Sequence, residues 1–318
     1  GEAEMSWMNG SKQAITSSVV IPSGIWHNIA VTYDGTTSTA KLYIDGVLNV
    51  TNAMPNVPAN TQSFLIAAAD GVTPTSFFNG NIDEVRVWSV ALKDKELRYV
   101  MNQEILSNGL ATNGSIIPNT ITLNDISSIP WSNLSAYYPM STYTYTNAKD
   151  VSDNHHTAAL RNLTTVDRQT APLPYESATH GAWSTGTTWL NNTVQDLPNS
   201  LSIVDGTTPV NWNIVKTSHD ITSTGNKTVL GLIVNSNKIT ASSDSKIEVT
   251  NYLKLDGKID LVGMSQLVQT LDCDLDVTSK GSIERDQQGQ ANRYNYNYWC
   301  SPVSPITPIA PFLNNNDY

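Results

Sequence analysis

The sequence has little charge for its length, and few of its charges are basic. Lys and Arg total 18 against 28 Asp and Glu, a formal net charge of -10 over 318 residues. Neutralising phosphates needs clustered Lys and Arg, and no basic run occurs, so no nucleic-acid partner is expected. There is also no run of about 18 apolar residues, so no membrane span is expected. No signal peptide is visible, and the chain opens in mid-pattern at Gly1, which reads as a piece of something longer. Two cysteines, Cys273 and Cys300, make at most one bridge, which excludes a disulfide scaffold. Catalytic signatures are missing as well. There is no His-Glu-x-x-His, no Cys-plus-His zinc spacing, no Gly-x-Ser-x-Gly and no glycine-rich phosphate loop. Glycan hydrolysis needs two carboxylates flanking a cleft; acids are plentiful, but no Glu-x-Asp-x-x-Glu arrangement occurs.

What is present is β-forming. With 39% hydrophobic residues the chain can bury a core. Between Ile25 and Trp88, Ile29, Val31 and Tyr33 alternate with polar neighbours, as do Ala40, Leu42 and Ile44. A period of two marks a strand with one buried face. Asp34-Gly35 and Asp45-Gly46 read as turns, because Asp-Gly is a strong hairpin signal. Strand-like runs also lie around Met5 to Met8 and Ala14 to Ile21, and Phe64 to Ala69 reads as a short buried strand. From Ala91 to Ile105, Leu92, Leu97, Val100, Met101 and Ile105 fall at helical spacing and predict the one substantial helix. Residues 106–130 read as a linker rich in turn residues.

These residues carry a resemblance. The order W-H-N-I-A-V-T-Y-D-G, then K-L-Y-I-D-G, then G-N-I-D-E-V-R-V-W resembles the second half of a laminin-G-like, concanavalin A-like jelly roll. The resemblance implies a two-sheet antiparallel sandwich that binds glycans or proteins and does no catalysis. W-S-N-L-S-A-Y-Y-P-M followed by D-V-S-D-N-H-H resembles the opening of such a domain, but here it follows the second half. Truncation accounts for that order: residues 1–105 end one jelly roll, and 106–170 are a linker and the partial start of a second. A fold-back of 131–170 onto the first is the alternative.

Beyond Gln169 the runs are short and β-branched, separated by Gly, Asn or Asp, with an Ile after Lys, Gly-Lys or Gly-Ser at Ile239, Ile247, Ile259 and Ile283. Such spacing predicts a parallel β-helix or solenoid over 171–303, with an antiparallel sandwich as alternative. Residues 304–318 read as a linker. The G-A-W-S-T-G-T-T-W opening and the I-E-R-D-Q-Q-G-Q-A-N-R-Y-N-Y-N-Y-W-C-S-P-V tail resemble modules of large surface proteins exported by the type IX secretion system of gliding bacteria. Such relatives usually have serine where this chain has Cys273 and Cys300. That paired departure suggests a disulfide, and two separate buried thiols remain the alternative.

The fold class is therefore all-β: a jelly-roll portion, a bridging segment and a β-solenoid. The resemblance implies an extracellular adhesion or recognition protein that meets glycans, surface proteins and secretion or cell-surface machinery. A structural stalk and an accessory region of a glycan-active enzyme are alternatives. Asp83, with Asp150 and Asp153 if the two motifs meet in space, is the candidate metal set, with calcium as the expected cofactor. Against it, Asp83 is read as a backbone acceptor and Glu84 as the partner of Arg86. Asp34 and Asp45 are read as turn residues and His27 as structural. His155 and His156, in a loop beside Asp153, point apart if that segment is extended and so make a poor metal pair; His180 and His219 are isolated. Trp183, Trp189 and Trp212, and the alternating Tyr294, Tyr296 and Tyr298, are candidates for sugar stacking or for packing.

Overall fold

The computed structural model describes the chain through residue 286, together with residue 289, apart from residues 60, 62, 70–72, 142, 143, 145 and 163–167. Tyr294, Tyr296, Tyr298, Cys300 and the 304–318 linker therefore lie outside the described residues.

The alternating N-terminal segments form strands as expected. Strands β1 (Glu4–Asn9) and β2 (Ser11–Thr16) make an antiparallel hairpin. Strands β3 (Ile29–Asp34), β4 (Thr39–Ile44) and β5 (Val47–Ala53) make an antiparallel sheet with β4 in the centre. Ala40, Leu42 and Ile44 face a core with Ile15 and Met54. Tyr43, on the opposite face of β4, is buried too and donates to Asp94 at 2.7 Å. The two Asp-Gly pairs differ. Asp45 (φ 50°) and Gly46 (φ 76°) are both left-handed, the conformation of a two-residue hairpin turn. At Asp34 the carboxylate accepts the Thr36 N–H, so that turn is an Asx-type loop. Residues Phe64 to Ala69 are not a strand. Phe64 is exposed, Ala67 is left-handed at φ 67°, and only Ala69 bridges to Thr75.

After β6 (Val85–Trp88) comes α1 (Asp94–Val100), shorter than the predicted span. The Gln103 side chain donates to Tyr99 O at 2.8 Å and closes the helix end. Ile105 then enters β7 (Ile105–Ser107), paired with β8 (Thr112–Gly114). The expected linker is thus structured. Ile117, Ile121, Ile126 and Ile129 from it are buried in the largest core cluster.

Strand β9 (Leu134–Tyr138) pairs antiparallel with β6, placing Val85 opposite Tyr138 and Val87 opposite Ala136. The segment expected to open a second, separate module therefore folds back onto the first, the alternative given less weight from the sequence. Ala136, Tyr138 and Ala148 are buried there against Val85 and Val87. The short strands β10 (Asn147–Ala148) and β11 (Ala158–Ala159) pair with each other beside this junction.

The solenoid follows as two parallel sheets. One holds β12 (Tyr175–Glu176), β14 (Ile214–Thr217), β16 (Lys227–Val234), β18 (Lys246–Leu255), β20 (Gln266–Gln269) and β21 (Asp274–Leu275). The other holds β13 (Gly181–Ala182), β15 (Ile221–Thr224), β17 (Lys238–Ser242), β19 (Lys258–Leu261) and β22 (Ser282–Arg285). Their pairings are all parallel, which rules out the antiparallel alternative. Ile221, Ile239, Ile259 and Ile283 stack in register as one inward ladder. Ile247 is equally buried but belongs to the other sheet. The Gly-Lys-Ile and Gly-Ser-Ile signals have a steric cause. A Cβ on Gly257 would stand 2.5 Å from Asn237 O, and one on Gly281 would stand 2.0 Å from Gly257 O.

Strand β16 is apolar on both faces. Val229, Leu232 and Val234 point into the solenoid, whereas Leu230 and Ile233 join the cluster with Trp131, Tyr137 and the bridge isoleucines. A strand covered on both faces reads as a continuous apolar run, as Lys-Thr-Val-Leu-Gly-Leu-Ile-Val does. The first solenoid sheet is therefore the middle layer of the molecule.

Candidate functional site

The β6–β9 pairing brings the two acidic motifs to one junction. Glu84 precedes β6 with a left-handed backbone (φ 55°). Its carboxylate is ion-paired with Arg86 and accepts the Tyr137 hydroxyl at 2.8 and 3.0 Å. Arg86 donates onward to Val100 O at 2.7 Å and Gln103 O at 2.8 Å, and its guanidinium lies 5.4 Å from the Tyr137 ring centre. One buried pair thus ties β6 to the end of α1 and to β9. Burial pushes the Glu84 carboxyl up, against the opposing pull of Arg86 and Tyr137. Burial likewise raises the Tyr137 phenol.

Asp150 is fully committed to hydrogen bonds. Its Oδ1 accepts the N–H groups of Tyr137 (2.8 Å) and Ser152 (2.9 Å); its Oδ2 accepts the Ser152 hydroxyl and the His156 N–H, both at 2.9 Å. Burial alone would push its carboxyl up, but these donors hold it below the usual carboxylate range. Asn154 completes the motif by donating to Ser135 O at 2.9 Å. The Asp-x-Ser-x-Asn spacing is thus a device for folding a loop over β9. Asp83 accepts the Glu84 N–H at 3.1 Å, and its Oδ2 is buried without a partner among the described residues. Burial raises its carboxyl. Asp153 is exposed.

As a calcium donor set, Asp83, Asp150 and Asp153 do not fit. Calcium takes six to eight oxygens, and Asp150 has none left over. Among the described residues no three His, Cys, Asp or Glu side chains stand close enough to hold a metal ion. The histidines and tryptophans are placed as follows. His27 is buried against Asp45, with Nδ1 2.8 Å from Oδ2. His180 and His219, read as isolated, stack edge to face with ring centres 5.4 Å apart. Trp183, Trp189 and Trp212 are all buried. Trp183 and Trp189 pack edge to face at 5.1 Å over the first solenoid turn, so they are core and not a sugar platform.

The solvent-facing aromatic surface lies elsewhere. Phe64, Phe77 and Phe78 are 61%, 66% and 57% exposed. The Ala69–Thr75 bridge and the Phe78 N–H bond to Ala67 O at 2.9 Å bring the two segments that carry them side by side. The Phe78 ring lies over Gly80, where a Cβ would meet it at 2.8 Å. Polar Ser63, Ser76, Asn79 and Asn81 flank the three rings in sequence. Sequence reasoning missed this surface. Phe64 was absorbed into an apolar run, and nothing in Phe77-Phe78 distinguishes an exposed pair from a buried one.

Two curated relatives match about a third of the chain. The "Sushi, von Willebrand factor type A, EGF and pentraxin domain-containing protein 1" of Rattus norvegicus is 29% identical over 116 residues, and that of Mus musculus 28% over the same length. The match covers 32% of this chain and about 3% of each relative. Among solved structures, a protein described as carbohydrate binding from Bacteroides ovatus is 20% identical with a TM-score of 0.31, covering 44% of this chain and 35% of that one. An S-layer domain-containing protein from Clostridium thermocellum is 24% identical with a TM-score of 0.20, covering 30% and 50%. Likeness at that level carries no conclusion about this chain. Residues 2–98 match the Laminin_G_3 family model, described as the concanavalin A-like lectin/glucanases superfamily. The chain is thus nearly all β, with an N-terminal region over residues 2–98 that is similar to a concanavalin A-like jelly roll and a β-solenoid of about four turns after it.

Proposed function

We propose that the chain is a non-catalytic recognition module of an extracellular surface protein, and that its jelly-roll loops bind a glycan or a glycosylated protein. The observation that carries this reading is the exposed Phe64, Phe77 and Phe78 on one loop of a lectin-like fold. Flat apolar rings beside amide side chains suit sugars, whose C–H faces stack on aromatics while their hydroxyls take hydrogen bonds. Export by type IX secretion, adhesion at a cell surface, contact with the secretion machinery and the Cys273–Cys300 bridge belong to the same proposal and rest on the sequence resemblance. Cys273 is partly buried against the solenoid core, and Cys300 lies outside the described residues.

The test is a glycan array with the chain and a Phe77→Ala/Phe78→Ala variant. Binding that falls at least about tenfold in the variant, with melting temperature unchanged, supports the reading. Absence of any glycan ligand favours the stalk, and turnover of a sugar polymer by the chain alone ends the non-catalytic reading. Calcium enters only through Asp83, the one member of the set with an unpartnered buried oxygen. A calcium-dependent rise in melting temperature that Asp83→Asn abolishes would support it; no rise removes calcium from the proposal.

A further inference from the structure

The row Ile214, Gly231, Tyr252 and Asp274 runs in register across the first solenoid sheet, through β14, β16, β18 and β21. Ile214 and Tyr252 turn toward the bridge segment, where both are buried with Ile117, Ile121 and Ile126. Gly231 lies against Ile117, whose Cδ1 would stand 3.4 Å from a Cβ placed there. At the end of the row Asp274 meets the bridge directly. Its Oδ2 accepts the Thr122 N–H at 2.6 Å, and its Oδ1 accepts the Thr122 hydroxyl at 3.0 Å. One strand back, the Asn251 side chain of β18 donates to Leu123 O at 2.7 Å. Residues 115–129 thus lie across the rungs with their tip on the last turn.

The two ends of this segment are fastened elsewhere. The Thr112 N–H donates to Ile129 O at 2.9 Å and closes a neck, so the segment is a compact loop with adjacent ends. The Ile116 and Ile117 N–H groups both donate to Gln103 Oε1 at 3.1 Å. Gln103 is fully buried, and its backbone O accepts Arg86 of the β6–β9 junction at 2.8 Å. One loop therefore has its neck in the jelly-roll closure and its tip on the far end of the solenoid.

We propose that residues 115–129 are a clasp: the Thr122–Asp274 contact fastens the last solenoid turn to the jelly-roll closure, so that the loop tip and that turn open together. The last turn needs such a fastening. A terminal repeat has a neighbour on one side only, and β21 is paired to β18 through just two residues, Asp274 and Leu275. Two donors of one residue on one carboxylate are charge-assisted and directional, so they fix the tip in one place. Gln103 holds the other end from inside the core, where its Nε2 also donates to Tyr99 O at 2.8 Å. Loosening the neck therefore slackens the grip on a strand that Gln103 does not touch.

Hydrogen exchange by mass spectrometry on the full chain tests this. Asp274→Ala should speed exchange at least about fivefold in peptides covering residues 121–126 and 274–279 alike, while Ile221–Thr224 keeps its protection. Asp274→Asn, which keeps one acceptor, should act on the same two peptides but less. Gln103→Met should speed exchange of 274–279 at least about threefold from the opposite end of the clasp. Should Gln103→Met fail to fold, Thr122→Val in the Asp274→Ala background decides. That double variant should exchange no faster than Asp274→Ala alone, because the contact is already gone. Faster exchange in only one of the two peptides of Asp274→Ala overturns the proposal, as does a loss spread evenly over the solenoid. So does an unchanged 274–279 peptide in folded Gln103→Met, or an additive effect in the double variant.

Discussion

The solenoid and the jelly roll are both β-structure, but they are held together differently. In the solenoid each strand pairs with the one a turn later, 40 residues on in the first turn (Tyr175 with Val215, Gly181 with Ile221) and about 20 thereafter, and one inward position repeats: Ile221, Ile239, Ile259, Ile283. In the jelly roll the last strand, β6, finds its partner in β9, across a helix, a hairpin and four buried isoleucines. Repetition gives the first its stability by nearest-neighbour stacking. The second depends on one long-range closure, and that closure is electrostatic as well as apolar. Damage to the solenoid should therefore scale with the packing lost at a single turn. Damage to the β6–β9 junction should act on three elements together.

The largest effect is expected at Arg86. Its side chain and that of Glu84 are 9% and 11% exposed, and Arg86 also holds two backbone carbonyls. Arg86→Met leaves the Glu84 charge buried with only Tyr137 to meet it, and should cost about 3–5 kcal/mol in chemical denaturation. Glu84→Gln in the Arg86→Met background should recover part of that loss, because the stranded charge is gone. Failure to recover would mean that the two lost carbonyl contacts, and not the charge, set the cost.

Asp150 comes next. Three backbone donors and one hydroxyl converge on it, so Asp150→Ala should cost about 3 kcal/mol by leaving buried N–H groups unpaired. Its carboxyl is depressed in the folded chain. The stability it adds is therefore present above the ordinary value of about 3.9 and is lost as pH falls through the lower folded value. Acid unfolding of Asp150→Ala should start from a lower plateau and be less steep below about pH 4. A profile parallel to that of the native chain would show that Asp150 is not a titrating support of the fold.

These two sites also show what could be read from the chain beforehand. The solenoid was legible because its cause is local and repeated. Gly257 and Gly281 each lie where a Cβ would strike the backbone of the turn before, and the isoleucine two residues on turns inward. The jelly-roll motifs were legible for the same reason, as alternation and Asp-Gly turns are short-range. The closure was not. Nothing in Leu134–Tyr138 states that its partner lies upstream, and family order argued for a separate module. The isoleucines of 117–129 sit among Asn, Ser, Thr and Pro, so turn chemistry hid a buried segment. Asp150 was picked out for its charge, yet its function here follows from its acceptor geometry. That geometry needs Tyr137, Ser152 and His156 already in place.

Within the solenoid the sharper test is Gly281→Ala. The added carbon would overlap Gly257 O at 2.0 Å and Leu255 O at 2.9 Å, both backbone atoms that cannot swing away. The rung from Ser282 to Arg285 would have to lift, at about 1–3 kcal/mol. Exchange of β22 amides should rise several-fold while β15 and β17 keep their protection, as nearest-neighbour stacking requires. Loss spread equally through all four inward-ladder strands would instead make the solenoid one cooperative unit with the jelly-roll core.

The smallest effect belongs to the outer surface of the same rungs. Lys258 Nζ is 2.6 Å from Glu284 Oε1, one turn apart on the outer face, with side chains 38% and 55% exposed. Lys238 meets Asp260 in the same fashion at 3.4 Å. These pairs decorate a ladder that the inward isoleucines already fix, and solvent screens them. Lys258→Ala should therefore change stability by no more than about 0.5 kcal/mol, and less at 0.5 M salt than at 0.05 M. A loss comparable to that of Gly281→Ala would mean that surface charge, not the apolar ladder and glycine contacts, sets the register of this half of the molecule. The contrast with Arg86 would then fail, since both halves would depend on ion pairs.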